Sequence, residues 1–119
     1  MAVFAGRQGE VKATNGYYVG NGGYGVSSPC SITFEKLPNK IVVEADPTSG
    51  TTYKLLIILP GILTNEFTSK RAFGWNGGNI LVESAVYTKC DGKTVSWYHS
   101  TNAVQQMNVS GVTYKWWSY

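Results

Sequence analysis

Residues 94–119, TVSWYHSTNAVQQMNVSGVTYKWWSY, are the stretch whose reading decides the fold. They hold three of the four Trp, the only His and three of the eight Tyr, so any aromatic surface or core draws on them. Two segments within them, 94–99 and 112–119, are rich in β-branched and aromatic residues, which suit a pleated, half-buried surface. Between them, residues 100–111 are built from Asn, Gln, Ser and Gly and read as a polar connection. An aromatic sheet beside an amide-rich loop fits a sugar-binding surface, and fits equally the core and rim of an ordinary β-sandwich.

Just upstream, residues 80–90 and 93–99 are separated by Asp91-Gly92, a strong signal for a two-residue hairpin turn. That register sets Thr88 opposite Val95, Val86 opposite Trp97 and Tyr87 opposite Ser96. It gathers Val82, Val86, Val95 and Trp97 on one face, a coherent apolar set. Downstream, Trp116 and Trp117 are neighbours on a strand and must point to opposite sides. One enters the core and the other meets solvent, a ligand or another subunit, so both are candidate subunit-interface residues.

The rest of the chain agrees with strands. Residues 2–5 (AVFA) could form a short edge strand, and 16–19 (GYYV) are extended in character. In 29–35 (PCSITFE), Cys30, Ile32 and Phe34 alternate with Ser31, Thr33 and Glu35, a half-buried pattern. Residues 40–45 (KIVVEA) form the next strand, and 46–50 (DPTSG) a turn, with Pro fixing φ and Gly supplying φ > 0. Residues 51–59 read as a strand buried on both faces towards its end. Residues 65–69 read as a loop, 71–73 as a short strand and 75–79 (WNGGN) as a turn. No ten-residue stretch has a 3.6-residue period; residues 100–107 could make one helical turn with Ser100 as its N-cap. The expectation is a single all-β domain over residues 1–119, an antiparallel β-sandwich of about eight to ten short strands.

Several chemistries are excluded. Charged residues are only 14% of the chain and the net charge is +3, with the basic residues scattered singly apart from Lys70-Arg71. A nucleic-acid stripe is therefore absent. One His and two distant Cys, Cys30 and Cys90, cannot supply four closely spaced zinc ligands, so no metal or cofactor is expected. The two Cys could form one disulfide; two buried thiols is the preferred reading. The most apolar stretch, 55–63 (LLIILPGIL), is too short to span a bilayer and contains Pro60-Gly61, and the N-terminus lacks the apolar run of a signal peptide. Residues 20–25 (GNGGYG) match G-x-G-x-x-G, but a dinucleotide site needs a helix opening there, and a strand follows. A flexible turn is the default.

His99 is the only imidazole base available and has no nucleophile elbow beside it. Glu44 and Asp46 share a strand face, as two carboxylates of a glycosidase would need to, but nothing else singles them out, and no enzyme is expected. Asn108-Val109-Ser110 matches a glycosylation sequon, of no consequence without secretion.

What remains is aromatic and amide chemistry. A saccharide offers C–H faces that stack on aromatic rings and hydroxyls that both donate and accept, and amide side chains carry both functions. Trp75, Asn76, Tyr98, His99 and Asn102 fall at turns or strand ends, where binding residues concentrate. They are the candidate carbohydrate-binding residues.

Two ends of the chain carry a resemblance. Gly20-x-Gly22-Gly23-Tyr24-Gly25, then 28–34 (SPCSITF), then Pro38-x-Lys40-Ile41-Val42-Val43 resemble the opening of a domain found in phage and prophage tail-fibre proteins. Residues 94–98 (TVSWY), Ala103, Gln106, Asn108 and Ser110-Gly111-x-Thr113-Tyr114 resemble its closing segment. The matched ends cover about half the chain; residues 46–80 hardly match, and the ending 115–119 (KWWSY) departs from the family's aliphatic one.

The resemblance implies an H-type-lectin-like sandwich that assembles as a homotrimer, sits in the virion tail after synthesis in the bacterial cytoplasm, and contacts other tail proteins. Its function would be that of a receptor-binding domain recognising a host cell-surface polysaccharide or glycan, with no membrane insertion. The chain could be the tip of a longer fibre protein. The alternatives are a purely structural tail or baseplate subunit without ligand and, as a minority reading, a small glycan-processing enzyme. The family offers no single binding residue to carry over. Its matched positions are fold and turn positions, which leaves specificity to the unmatched middle, Trp75-Asn76 included.

Overall fold

A strand that alternates apolar and polar residues can bury only one face, so two sheets are needed to cover each other. The computed structural model describes residues 15–50, 53–60, 62, 66–76 and 82–119, with Trp75 and Asn76 placed by their backbone alone. In chain order the strands are β1 (Asn15–Val19), β2 (Cys30–Thr33), β3 (Lys40–Ala45), β4 (Tyr53–Ile58), β5 (Ala72–Asn76), β6 (Val82–Glu83), β7 (Tyr87–Asp91), β8 (Thr94–Tyr98) and β9 (Thr113–Ser118). A single 3-10 turn, Pro47–Ser49, is the one helical element among the described residues. Two antiparallel sheets pack together, one ordered β1-β9-β3-β4-β5-β6 and the other β2-β8-β7. The all-β sandwich expected from the sequence is the fold observed.

The core lies between the sheets. Ile41, Val43, Leu55, Ile57 and Ala72 face it from the larger sheet and Val95 and Trp97 from the smaller, all without solvent exposure. Tyr114 and Trp116 add β9 to it, with the Trp116 ring edge-on to Phe34 at 5.3 Å between centroids. Trp117, on the opposite side of β9, is half-buried on the outer face.

The turn 46–50 forms as expected. The Asp46 carboxylate caps it by accepting from the Thr48 amide at 2.8 Å, and Gly50 closes it at φ 87.

Several expectations are corrected. The hairpin register is offset by two residues: Cys90 faces Val95, Thr88 faces Trp97 and Tyr87 faces Tyr98. The loop residues are Gly92 and Lys93, with positive φ at Gly92 alone. Gly in the first central position is the pattern of a type II′ turn, whereas the expected loop placed Gly second, as type I′ does. Residues 80–90 are not one strand, because Ser84 turns inward to take the Val86 amide at 3.3 Å and the Tyr53 hydroxyl at 3.4 Å. Val82 therefore lies on β6, 55% exposed, away from the apolar set that Val86 joins.

Strand β4 alternates strictly, so Leu56 and Ile58 are only partly buried on the outer face. Trp75 and Asn76 end β5 rather than opening a turn, because Lys54 and Tyr53 pair with them. The single turn after β8 is capped by Asn102, whose side-chain oxygen accepts from the Gln105 amide at 2.9 Å, and not by Ser100. The readings of residues 2–5 and 77–79 lie outside the described residues.

Candidate functional site

Strand β9, last in sequence, sits between β1 and β3. That insertion brings three distant segments onto one outer face, because residues directly opposite across strands share a side. Asn15 lies opposite Trp117, and Tyr17 opposite Lys115, which in turn faces Glu44 on β3. Together with Ala45, Asp46, Pro47 and Thr113 these residues line a groove of about 630 Å³.

Its chemistry is one exposed aromatic amid fixed polar groups. Tyr17 is 76% exposed. The Lys115 ammonium lies over the Trp117 ring, 5.2 Å from its centroid, so one face of that indole is already covered. Glu44 pairs with Lys54 at 3.1 Å. The Asp46 carboxylate accepts from both the amide and the hydroxyl of Thr48 at 2.8 Å, and these bonds hold its pKa below the usual value. The groove therefore presents acceptors, donors and an aromatic face, with Asp46, Glu44 and Lys115 each held by a neighbour.

The residues singled out from sequence fall into two groups. Trp75 and Asn76 are on β5 of the larger sheet; Trp75 is opposite Lys54 in the same cross-strand row as Glu44, Lys115 and Tyr17. Tyr98, His99 and Asn102 belong to the other sheet or follow it. Tyr98 is stacked on Tyr87 at 5.1 Å and meets the edge of Phe67 at 4.7 Å, with the Lys89 ammonium 4.9 Å from the Phe67 centroid.

His99 accepts from the Thr101 amide at Nδ1, at 3.2 Å, and partial burial lowers its pKa below the ordinary 6.5. Both observations favour the neutral ring. Asn102 is engaged in capping. Of the two proposed interface residues, Trp116 is in the core and Trp117 lines the groove.

The amide-rich connection proves to be scaffold. Gln106 has no solvent exposure: its Nε2 donates to the Ser28 carbonyl at 2.7 Å, and its Oε1 accepts from the His99 amide at 2.8 Å and the Gly25 amide at 3.2 Å. Its backbone carbonyl takes the Trp97 indole N–H at 2.8 Å. Asn108, 5% exposed, binds Asn21 and the Gly23 carbonyl through its side chain, so the sequon nitrogen is occupied inside the protein. The glycine-rich segment expected to be a flexible turn is thereby tied down. Gly20 packs so closely on the Val109 carbonyl that a Cβ would overlap it.

Sequence reasoning missed Asn15, Tyr17, Pro47, Thr113 and Lys115. The one available signal was alternation in residues 15–19, which puts Tyr17 and Tyr18 on opposite faces as surely as it does Trp116 and Trp117. No protein-family model, curated protein or solved structure matches the chain.

Proposed function

We propose that this chain is a non-catalytic, carbohydrate-binding adhesion domain, and that the groove beside Tyr17 holds one or more sugar units of a cell-surface glycan. The observation that carries this reading is a highly exposed tyrosine ring beside the Asp46 carboxylate, the Asn15 amide, the Thr113 hydroxyl and the Lys115 ammonium. A pyranose C–H face would stack on Tyr17, and its hydroxyls would donate to Asp46 and accept from Lys115, with Asn15 able to do both. Such contacts are weak singly and gain strength by repetition. That suits the tail-fibre setting which the resemblance at the two ends of the chain implies, with an H-type-lectin-like sandwich displayed at the virion tail among other tail proteins.

A glycan array probed with the purified protein tests this. Binding that falls at least tenfold in Tyr17→Ala, with Tyr98→Ala unaffected, is the expected result. An array without a single bound glycan would leave the structural-subunit alternative.

One observation favours a minority enzymatic reading, because Glu44 and Asp46 line the same aromatic groove. A glycosidase acid needs a carboxyl whose pKa is raised. Asp46 is held low by Thr48, the opposite of what that role needs, and the Glu44 carboxylate is engaged by the Lys54 ammonium at 3.1 Å. Polysaccharide turnover lost in Glu44→Gln would overturn the non-catalytic reading.

A further inference from the structure

An unpaired strand edge recruits other strands unless something blunts it, and among the described residues three of the four sheet edges are blunted. Strand β6 is two residues long. Strand β2 has four residues directly after Pro29. Strand β7 carries Lys89 and Asp91, and Thr68 bridges Thr88 by two 2.8 Å backbone hydrogen bonds. Strand β1 has none of these devices among the described residues. Its five residues, NGYYV, include no charge and no Pro, and Tyr17 and Val19 are 76% and 59% exposed.

The ladder shows which groups stand open. The Gly20 amide donates to the Val112 carbonyl and the Asp46 amide to the Thr113 carbonyl. By alternation, Tyr114 and Trp116 bond to β1 through Tyr18 and Gly16. The amides and carbonyls of Asn15, Tyr17 and Val19 therefore point away from the sheet, unpaired among the described residues.

We propose that a second copy of this chain pairs with β1, antiparallel about a two-fold axis at Tyr17, and so joins two six-stranded sheets into one. The segment is its own complement. Asn15 faces Val19 of the partner subunit, Tyr17 faces Tyr17 of the partner subunit as an aromatic cross-strand pair, and no like charges meet. A two-fold axis perpendicular to the sheet keeps both grooves on the same face, so each gains the other copy's Tyr17 along its open side. The pairing does not depend on the glycan reading: a dimer that binds no glycan would leave it standing.

Cysteine scanning tests it. In the proposed register the two Tyr17 positions are a hydrogen-bonded pair with Cα atoms about 5.5 Å apart, inside the window for a disulfide. Tyr17→Cys should cross-link to itself on mild oxidation, whereas Val19→Cys, about 13 Å from its own copy, should not. Cys30 and Cys90 are buried and do not compete. Sedimentation of the unmodified protein should give a dimer at micromolar concentration, and Val19→Lys should shift it towards monomer with unchanged circular dichroism and Tyr17 intact. A monomer, the trimer that the tail-fibre resemblance implies, or equal cross-linking by both cysteine variants would overturn the proposal.

Discussion

Gln106 shows how much one side chain can fix. It reaches back across 78 positions to the Ser28 carbonyl and across seven to the His99 amide, with no contact with water. Replacing it with Leu keeps the bulk and removes the partner of the part-buried His99 amide and of the Ser28 carbonyl. An unsatisfied buried group costs roughly 1–3 kcal/mol and these two are only partly shielded from water, so Gln106→Leu should lower unfolding free energy by about 1–2 kcal/mol in urea titration. The neighbouring Gln105→Ala should stay within about 0.5 kcal/mol of the parent. The same logic explains why Asn108 is no modification site: both ends of its amide are bound within the protein.

At the scale of elements, the Asp91–Thr94 turn is the sharpest local device. Gly92 sits at φ 64, where a Cβ is strained whatever the space around it. Gly92→Ala should destabilise by about 1 kcal/mol, and Gly92→Asn by less, because Asn tolerates the left-handed region better. Thermal unfolding of the two variants side by side checks the order.

This turn also marks the limit of what the sequence reveals. Alternation gave the strand faces correctly for 30–34 and for the Trp116-Trp117 pair, since a period of two needs no knowledge of neighbours. It could not give register, because Asp-Gly fits either turn position and a shift of two leaves every face unchanged. It misplaced Trp75 and Asn76 because Gly and Asn follow them, while their pairing with β4 is a tertiary fact. The groove was illegible for the same reason. Asn15, Asp46 and Lys115 are far apart in sequence and meet only because β9 enters between β1 and β3.

For the whole molecule, the two thiols report on global integrity. Burial pushes Cys30 up to about 11 and raises Cys90 as well, so little thiolate exists near neutrality. They lie on β2 and β7, the strands either side of β8, opposite Trp97 and Val95 respectively. Strands two places apart are roughly 9–10 Å from one another, beyond the reach of a disulfide. Alkylation of the native protein should therefore proceed no faster than global unfolding and should accelerate with denaturant. Rapid labelling of either Cys without denaturant would show that the sandwich opens locally.

The position of β9 has a consequence for synthesis. Strand β9 follows every other described strand in the chain, yet it is an interior strand of the larger sheet, hydrogen-bonded on both sides and carrying Tyr114 and Trp116 into the core. Until it emerges, β1 and β3 have no common neighbour, and much of the apolar face they offer stays open. This sheet is therefore completed only once β9 is available, and a chain broken off before Thr113 leaves two adhesive edges where the finished molecule has a single continuous sheet.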